Sequence, residues 1–175
     1  MDLKEHIRSI QDYPKKGILF RDITTLIKNE KAFKECIDQI VQRTKIFEFD
    51  KIAAIESRGF VFASAVSYIL KKPFILLRKK NKLPAEVHSI DFELEYGTAT
   101  MEVHKDAIEQ DDSVLLIDDL IATGGTAEAA AKLIEMSKGK VAGYVFVINL
   151  FDLGGCDNLV KKGFKVENLI EFPGH

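Results

Sequence analysis

The sequence predicts an α/β fold, a parallel sheet with helices on both faces. Two observations carry that expectation. Four short, continuously apolar stretches recur along the chain: Ile52–Ile55, Phe74–Leu77, Val114–Ile117 and Val141–Ile148. Strands of a parallel sheet are buried on both faces and so read as unbroken apolar runs. Two of the three stretches between them have the length and period of helices, as strand–helix–strand crossovers require. With 175 residues, 46% apolar and 30% charged, the chain is sized for one domain, residues 1–175, that buries a sizeable core.

Each element has its own signal. Leu3, Ile7 and Ile10 fall on one helical face, and Tyr13-Pro14-Lys15-Lys16-Gly17 then breaks the pattern before the short apolar piece Ile18-Leu19-Phe20. Asn29 is placed as a helix N-cap, with Phe33, Ile37, Ile40, Val41 and Thr44 at helical spacing behind it. The first strand, Ile52–Ile55, leads into a helix over Gly59–Leu70, and Pro73 opens the second strand, Phe74–Leu77. The polar segment Lys79–Gly97 is long for a connection, as lids are. Alternatively, Val87–Phe92 and Thr98–Val103 form a β-hairpin. Val114–Ile117 is the third strand, feeding a helix over about Thr126–Lys138, and Val141–Ile148 is the fourth. Ligands of such sheets bind at the carboxyl ends of strands, so the loops after Ile55, Leu77 and Ile117 should carry the function.

Several function classes are disfavoured. Lys plus Arg total 25 against 27 Asp plus Glu, a formal net charge of −2. A general nucleic-acid binder carries a basic excess, so no such partner is expected. The longest apolar run, Val141–Ile148, is far short of the roughly 20 residues of a membrane helix. The charged opening Met1–His6 lacks the apolar stretch of a secretory signal. Cys36 and Cys156 stand far apart, in no CxxC pairing, which suits a reducing compartment. The expectation is a soluble, cytoplasmic protein with no membrane partner. The patterns HExxH, GxSxG, GxxxxGK[ST] and GxGxxG are all absent.

The strongest chemical signal is the run from Val114 to Thr126. An apolar strand ends in Asp118-Asp119, and after Leu120-Ile121-Ala122 the turn Thr123-Gly124-Gly125-Thr126 opens a helix. Helix-start amides unencumbered at two glycines form a nest for a phosphate, and both threonines can add hydroxyl donors. Two carboxylates beside an anion site make sense if the same ligand presents ribose hydroxyls, or a magnesium-bound edge, near its phosphate. The plainer alternative is a βα turn capped by Thr123 or Thr126, with solvated aspartates. Glu56-Ser57-Arg58-Gly59 is a second strand-to-helix junction, where backbone amides and the Arg58 guanidinium suit a pyrophosphate. Arg78, Lys79 and Lys82 either neutralise such a group or form a solvated basic edge.

The Val114–Thr126 run closely resembles the diphosphoribosyl-binding signature of the type I phosphoribosyltransferases. Asp12–Ile23, Glu56–Phe60, Arg78–Pro84, Leu94–Gly97, Asn149–Leu153 and the closing Phe172-Pro173-Gly174-His175 narrow the resemblance to the branch of that family acting on adenine. Together they span nearly the whole chain in the family's order.

The resemblance implies the type I phosphoribosyltransferase fold, with a base-covering hood over about residues 1–30 and a flexible loop over about 79–97. It implies transfer of phosphoribosyl from 5-phosphoribosyl 1-diphosphate to adenine, giving AMP and pyrophosphate, with magnesium carried by the diphosphate and no metal held by the protein. It also implies a homodimer. In that scheme Leu19, Phe20 and Arg21 lie against the base, Phe20 by its ring and its neighbours by backbone groups. Ser57 and Arg58 lie in the pyrophosphate loop, and Arg78, Lys79 and Lys82 lie in the loop that closes over the site. An arginine like Arg78 can reach the neighbouring subunit's ligand. Glu95 and Tyr96 contact the base, with Glu95 assisting proton movement at a ring nitrogen. Asp118 and Asp119 hold the ribose hydroxyls, and Ala122, Thr123, Gly124, Gly125 and Thr126 anchor the 5′-phosphate. Asn81 and Phe92 stand where many relatives have Gly and Tyr; Asn81 either alters the flexibility of the loop or tolerates the same positive-φ turn, and Phe92 loses any hydroxyl contact made there. Two rivals remain: a regulator that keeps the site as a sensor, and transfer to another base. The segment Met1–Gln11 is too short for the helix-turn-helix that the regulators carry.

Overall fold

The computed structural model describes residues 1–94 and 97–175. After a 3-10 turn at Leu3–His6, the chain forms β1 (Arg8–Gln11) and β2 (Leu19–Asp22), then α1 (Thr24–Ile27) and α2 (Glu30–Thr44). The central unit follows: β3 (Lys51–Ile55), α3 (Arg58–Leu70), β4 (Phe74–Lys79), β5 (Val87–Leu94), β6 (Gly97–His104), β7 (Ser113–Ile121) and α4 (Gly125–Met136). It closes with β8 (Lys140–Leu150), a 3-10 turn at Phe151–Leu153, α5 (Gly155–Lys161) and β9 (Val166–Phe172).

Seven of these strands form one sheet in the order β5-β6-β4-β3-β7-β8-β9. The five from β4 to β9 run parallel, and β6 and β5 add an antiparallel edge. Apolar residues sort to the two faces by strand alternation. Ile52, Ala54, Leu115, Ile117, Val145 and Val147 pack with α2 and α3, whereas Ala53, Val114, Leu116, Tyr144 and Phe146 pack with α4 and α5. The expected α/β class with both faces covered is what forms. No helix among the described residues is long and apolar enough to cross a membrane.

The Asn29 side chain accepts from the Ala32 amide and caps α2, as its position suggested. The opening segment is corrected. Only Leu3–His6 turns, as a 3-10 helix capped by Asp2, and Arg8–Gln11 is a strand paired antiparallel with β2. The ladder to β2 satisfies backbone groups that so short a helix would leave open, while Leu3 and Ile7 still reach the core. Between Lys79 and Gly97 the hairpin alternative is the one that forms, with β5 and β6 paired from Val87↔His104 to Leu94↔Gly97. Asn81 adopts φ 66°, the left-handed turn that a glycine would otherwise supply.

Candidate active site

The carboxyl ends of β3 and β7 diverge over a cavity of about 280 Å³. Its wall runs from Ile55 through Glu56, Ser57 and Arg58, its floor is Asp118 and Asp119, and its far side is the turn Ala122–Thr126 with Ala127 and Phe146. The expected loops after Ile55 and Ile117 therefore meet at one place.

The anion side is built from backbone. Gly124 sits at the start of α4 with φ 92°, and no side chain among the described residues caps the helix. Neither threonine supplies the cap that the plainer alternative required. The first amides of α4 are thus left to a ligand, and the helix dipole adds partial positive charge there.

The floor carries the opposite charge. Asp118 Oδ1 accepts from the Asp119 amide at 2.9 Å. Asp119 is almost fully buried, and its Oδ2 lies 3.0 Å from Arg58 Nε. No hydrogen bond closes that gap, because Asp119 Oδ2 lacks an aligned donor among the described residues. The contact is therefore an ion pair held by Coulomb attraction alone. Burial, and then the Asp119 charge alongside, push the Asp118 carboxyl well above the ordinary carboxylate range. Burial also raises Asp119, against the pull of Arg58. Two desolvated carboxylates side by side make a seat that favours developing positive charge. Gly59 makes room for it: a Cβ there would stand 2.6 Å from Asp118 Oδ1.

Arg58 links the cavity to the N-terminal ribbon, since its guanidinium carbon lies 5.4 Å from the Phe20 ring centroid. Tyr13 meets the same ring edge-on at 5.2 Å. Strands β1 and β2 form a separate two-stranded sheet, so one alternate set of β2 backbone groups faces away from any partner strand. The Arg21 side chain turns from the cavity and is buried, with Nη1 donating to Ser9 Oγ and Nη2 to the Pro173 carbonyl.

Glu56 is the residue that sequence reasoning did not single out. Its Oε1 accepts from the Lys79 amide at 2.6 Å and stands 3.3 Å from Arg78 Nε, and its Oε2 stands 3.7 Å from Lys82 Nζ. Burial works to raise its pKa, but the Lys79 amide, Lys82 and Arg78 together bring it below the ordinary range. A lone acid at the mouth of a strand, facing a basic loop, was the available signal. Glu56 brings Arg78, Lys79 and Lys82 beside the cavity without making them part of its wall. Glu95 and Tyr96 lie outside the described residues. Neither thiol is activated, because burial pushes Cys36 up to about 12 and Cys156 up to about 11.

The geometry has counterparts among known proteins. The phosphoribosyl transferase domain family matches residues 22–173. An adenine phosphoribosyltransferase of Pelagibacter ubique is 79% identical over 175 residues, covering 100% of both chains. The crystal structure of adenine phosphoribosyltransferase from Thermoanaerobacter pseudethanolicus superposes with a TM-score of 0.93 at 45% identity, over 97% of this chain and 98% of that one. The Saccharomyces cerevisiae enzyme, crystallised with an imino-altritol bisphosphate and adenine, matches with a TM-score of 0.87 at 34% identity, over 96% of each chain.

Proposed function

The chain belongs to the phosphoribosyl transferase domain family, in its adenine phosphoribosyltransferase branch, and from that premise we propose which of its residues perform each part of the reaction. The reaction moves phosphoribosyl from 5-phosphoribosyl 1-diphosphate to adenine, giving AMP and pyrophosphate. The observation that carries the assignment of roles is the start of α4 facing half-buried Asp118 and buried Asp119 across one cavity.

The backbone and hydroxyls of Ala122–Thr126 hold the 5′-phosphate. Asp118 and Asp119 accept hydrogen bonds from the ribose hydroxyls. As the bond from the anomeric carbon to the diphosphate lengthens, the ribose becomes oxocarbenium-like, and the aspartate charges favour it most at that point. Ser57 and Arg58 take the leaving diphosphate, Arg78 and Lys79 face it from the end of β4, and Lys82 closes over it from the 79–97 arm. No group of three or more His, Cys, Asp or Glu among the described residues is placed to hold a metal. Magnesium is proposed to enter with the diphosphate substrate, whose phosphate oxygens are its natural ligands. Adenine lies on Phe20, with backbone groups of Leu19 and Arg21 reading its edge, so residues 1–30 act as the hood. Tyr96 contacts the base, and Glu95 assists removal of the proton from the ring nitrogen that attacks.

The working unit is a homodimer. Support comes from Tyr68 and Ile69 on α3, 87% and 48% exposed, and from Leu76 on β4, 40% exposed. These two elements meet through the Phe60–Phe74 ring pair, and exposed apolar surface of this kind favours covering.

The double change Asp118→Asn, Asp119→Asn tests the central roles. Transition-state-only interactions appear in kcat, so kcat should fall on the order of 10²-fold or more, while the dissociation constant for the diphosphate substrate moves far less. An unchanged kcat at saturating magnesium contradicts the role.

A further inference from the structure

Strand β2 is gripped from the side away from the cavity. Arg21 Nη1 donates to Ser9 Oγ on β1 at 2.5 Å, and Nη2 donates to the Pro173 carbonyl at 3.1 Å. The guanidinium carbon lies 4.3 Å from the Phe172 ring centroid. Lys4 Nζ lies 5.3 Å from the same ring. The segment that holds Arg21 is itself seated. The Gly174 amide donates to Asp152 Oδ1 at 2.6 Å, and a Cβ on Gly174 would stand 2.6 Å from Leu153 Cγ. Any larger residue there would crowd the Leu153 side chain of the turn that follows β8. Side chains alternate along a strand, and the Phe20 ring accordingly faces Arg58, opposite to Arg21.

We propose that residues 172–174 are a positioning element for base binding, setting through Arg21 where β2 and the Phe20 ring stand over the cavity. The inference rests on β2 serving as the base platform, as proposed above. A two-stranded ribbon is marginal by itself in water. A guanidinium held by a hydroxyl, a carbonyl and an aromatic face fixes β2 in place before the base arrives. Binding to a platform already in place costs less ordering, so the grip should show in affinity for the base. Arg21 and Phe172 are positioning residues, and neither touches the reacting atoms.

The test is steady-state kinetics of Phe172→Ala, Arg21→Ala, their combination, Phe172→Tyr, Asp152→Ala and Phe20→Ala. Phe172→Ala and Arg21→Ala should each raise KM for adenine about tenfold, leaving kcat and KM for the diphosphate substrate within about twofold. The combination should be no worse than the worse single change, because both break one contact. Phe172→Tyr keeps the ring and should keep the parent KM. Asp152→Ala, at an exposed position, frees the Gly174 amide and should raise adenine KM by a smaller factor. It decides the matter if Phe172→Ala does not fold. An unchanged adenine KM in the folded variant, with Phe20→Ala raising it, overturns the proposal while leaving the platform standing. A fall in kcat with both KM values unmoved also overturns it, since that marks a general structural role. If Phe20→Ala itself leaves adenine KM unchanged, the platform fails and the proposal falls with it.

Discussion

Asp22 closes the β1–β2 ribbon, and its environment turns directly into a dependence on pH. Its side chain is 8% exposed and pairs with Arg8, while the Thr24 hydroxyl and amide donate to its Oδ1 at 2.7 Å and 2.9 Å. The Thr24 hydroxyl, aided by the Thr24 amide and Arg8, outweighs burial and brings its pKa to about 2. That lies below the unfolded value of about 3.9. The stabilisation is therefore complete above the unfolded pKa and is lost as pH falls through the window from about 4 to about 2. Asp22→Asn should cost about 1–2 kcal/mol at neutral pH, and urea titrations should show that deficit shrinking through the same window. A deficit independent of pH contradicts it. The turn Ala122–Thr126 and the aspartate pair were legible as one cluster because they are contiguous with a strand and a helix start. Glu56 was not, because its partners Arg78, Lys79 and Lys82 lie more than twenty positions away and meet it only through the β3–β4 pairing.

Elements whose apolar pattern is continuous were legible to within a few residues: β3, α3, β4, β7, α4 and β8. Those whose strand character depends on a partner were not. β1 and β2 are four residues each and exist by pairing with one another. β9 is a strand because it lies along β8, although Glu167, Asn168 and Glu171 interrupt its apolar residues. Charge within 79–97 signalled a loop, yet alternation lets β5 place Ile90 and Phe92 against the core while its acids face water. Between β4 and β5, Lys80–Glu86 has no regular structure, and Lys79, Lys80 and Lys82 are exposed. If this arm closes when the site fills, bound ligand should shield those lysines, since closure excludes water from a reactive ribosyl cation. Limited trypsin digestion should be slower with AMP present. Equal rates with and without AMP count against closure.

At the scale of the whole molecule, the parallel sheet supplies the cavity, Arg58 links it to the ribbon, and α3 with β4 leaves an apolar face outward. Sedimentation equilibrium should give a mass twice the chain's 19.7 kDa, and Tyr68→Glu should shift it toward one chain with the fold retained. A single-chain mass at micromolar concentration contradicts the dimer. We propose that this assembly transfers phosphoribosyl to adenine, chosen through main-chain groups of β2. At position 6 adenine donates through its amino group, and its N1 accepts, whereas hypoxanthine reverses both. Two mispaired buried groups at about 1–3 kcal/mol each correspond to roughly 10²–10⁴-fold discrimination. The most direct measurement is kcat/KM for adenine, hypoxanthine and guanine with 5-phosphoribosyl 1-diphosphate and magnesium. AMP formation should be favoured over IMP by at least about 10²-fold; use of hypoxanthine within tenfold of adenine would contradict selection by the β2 main chain.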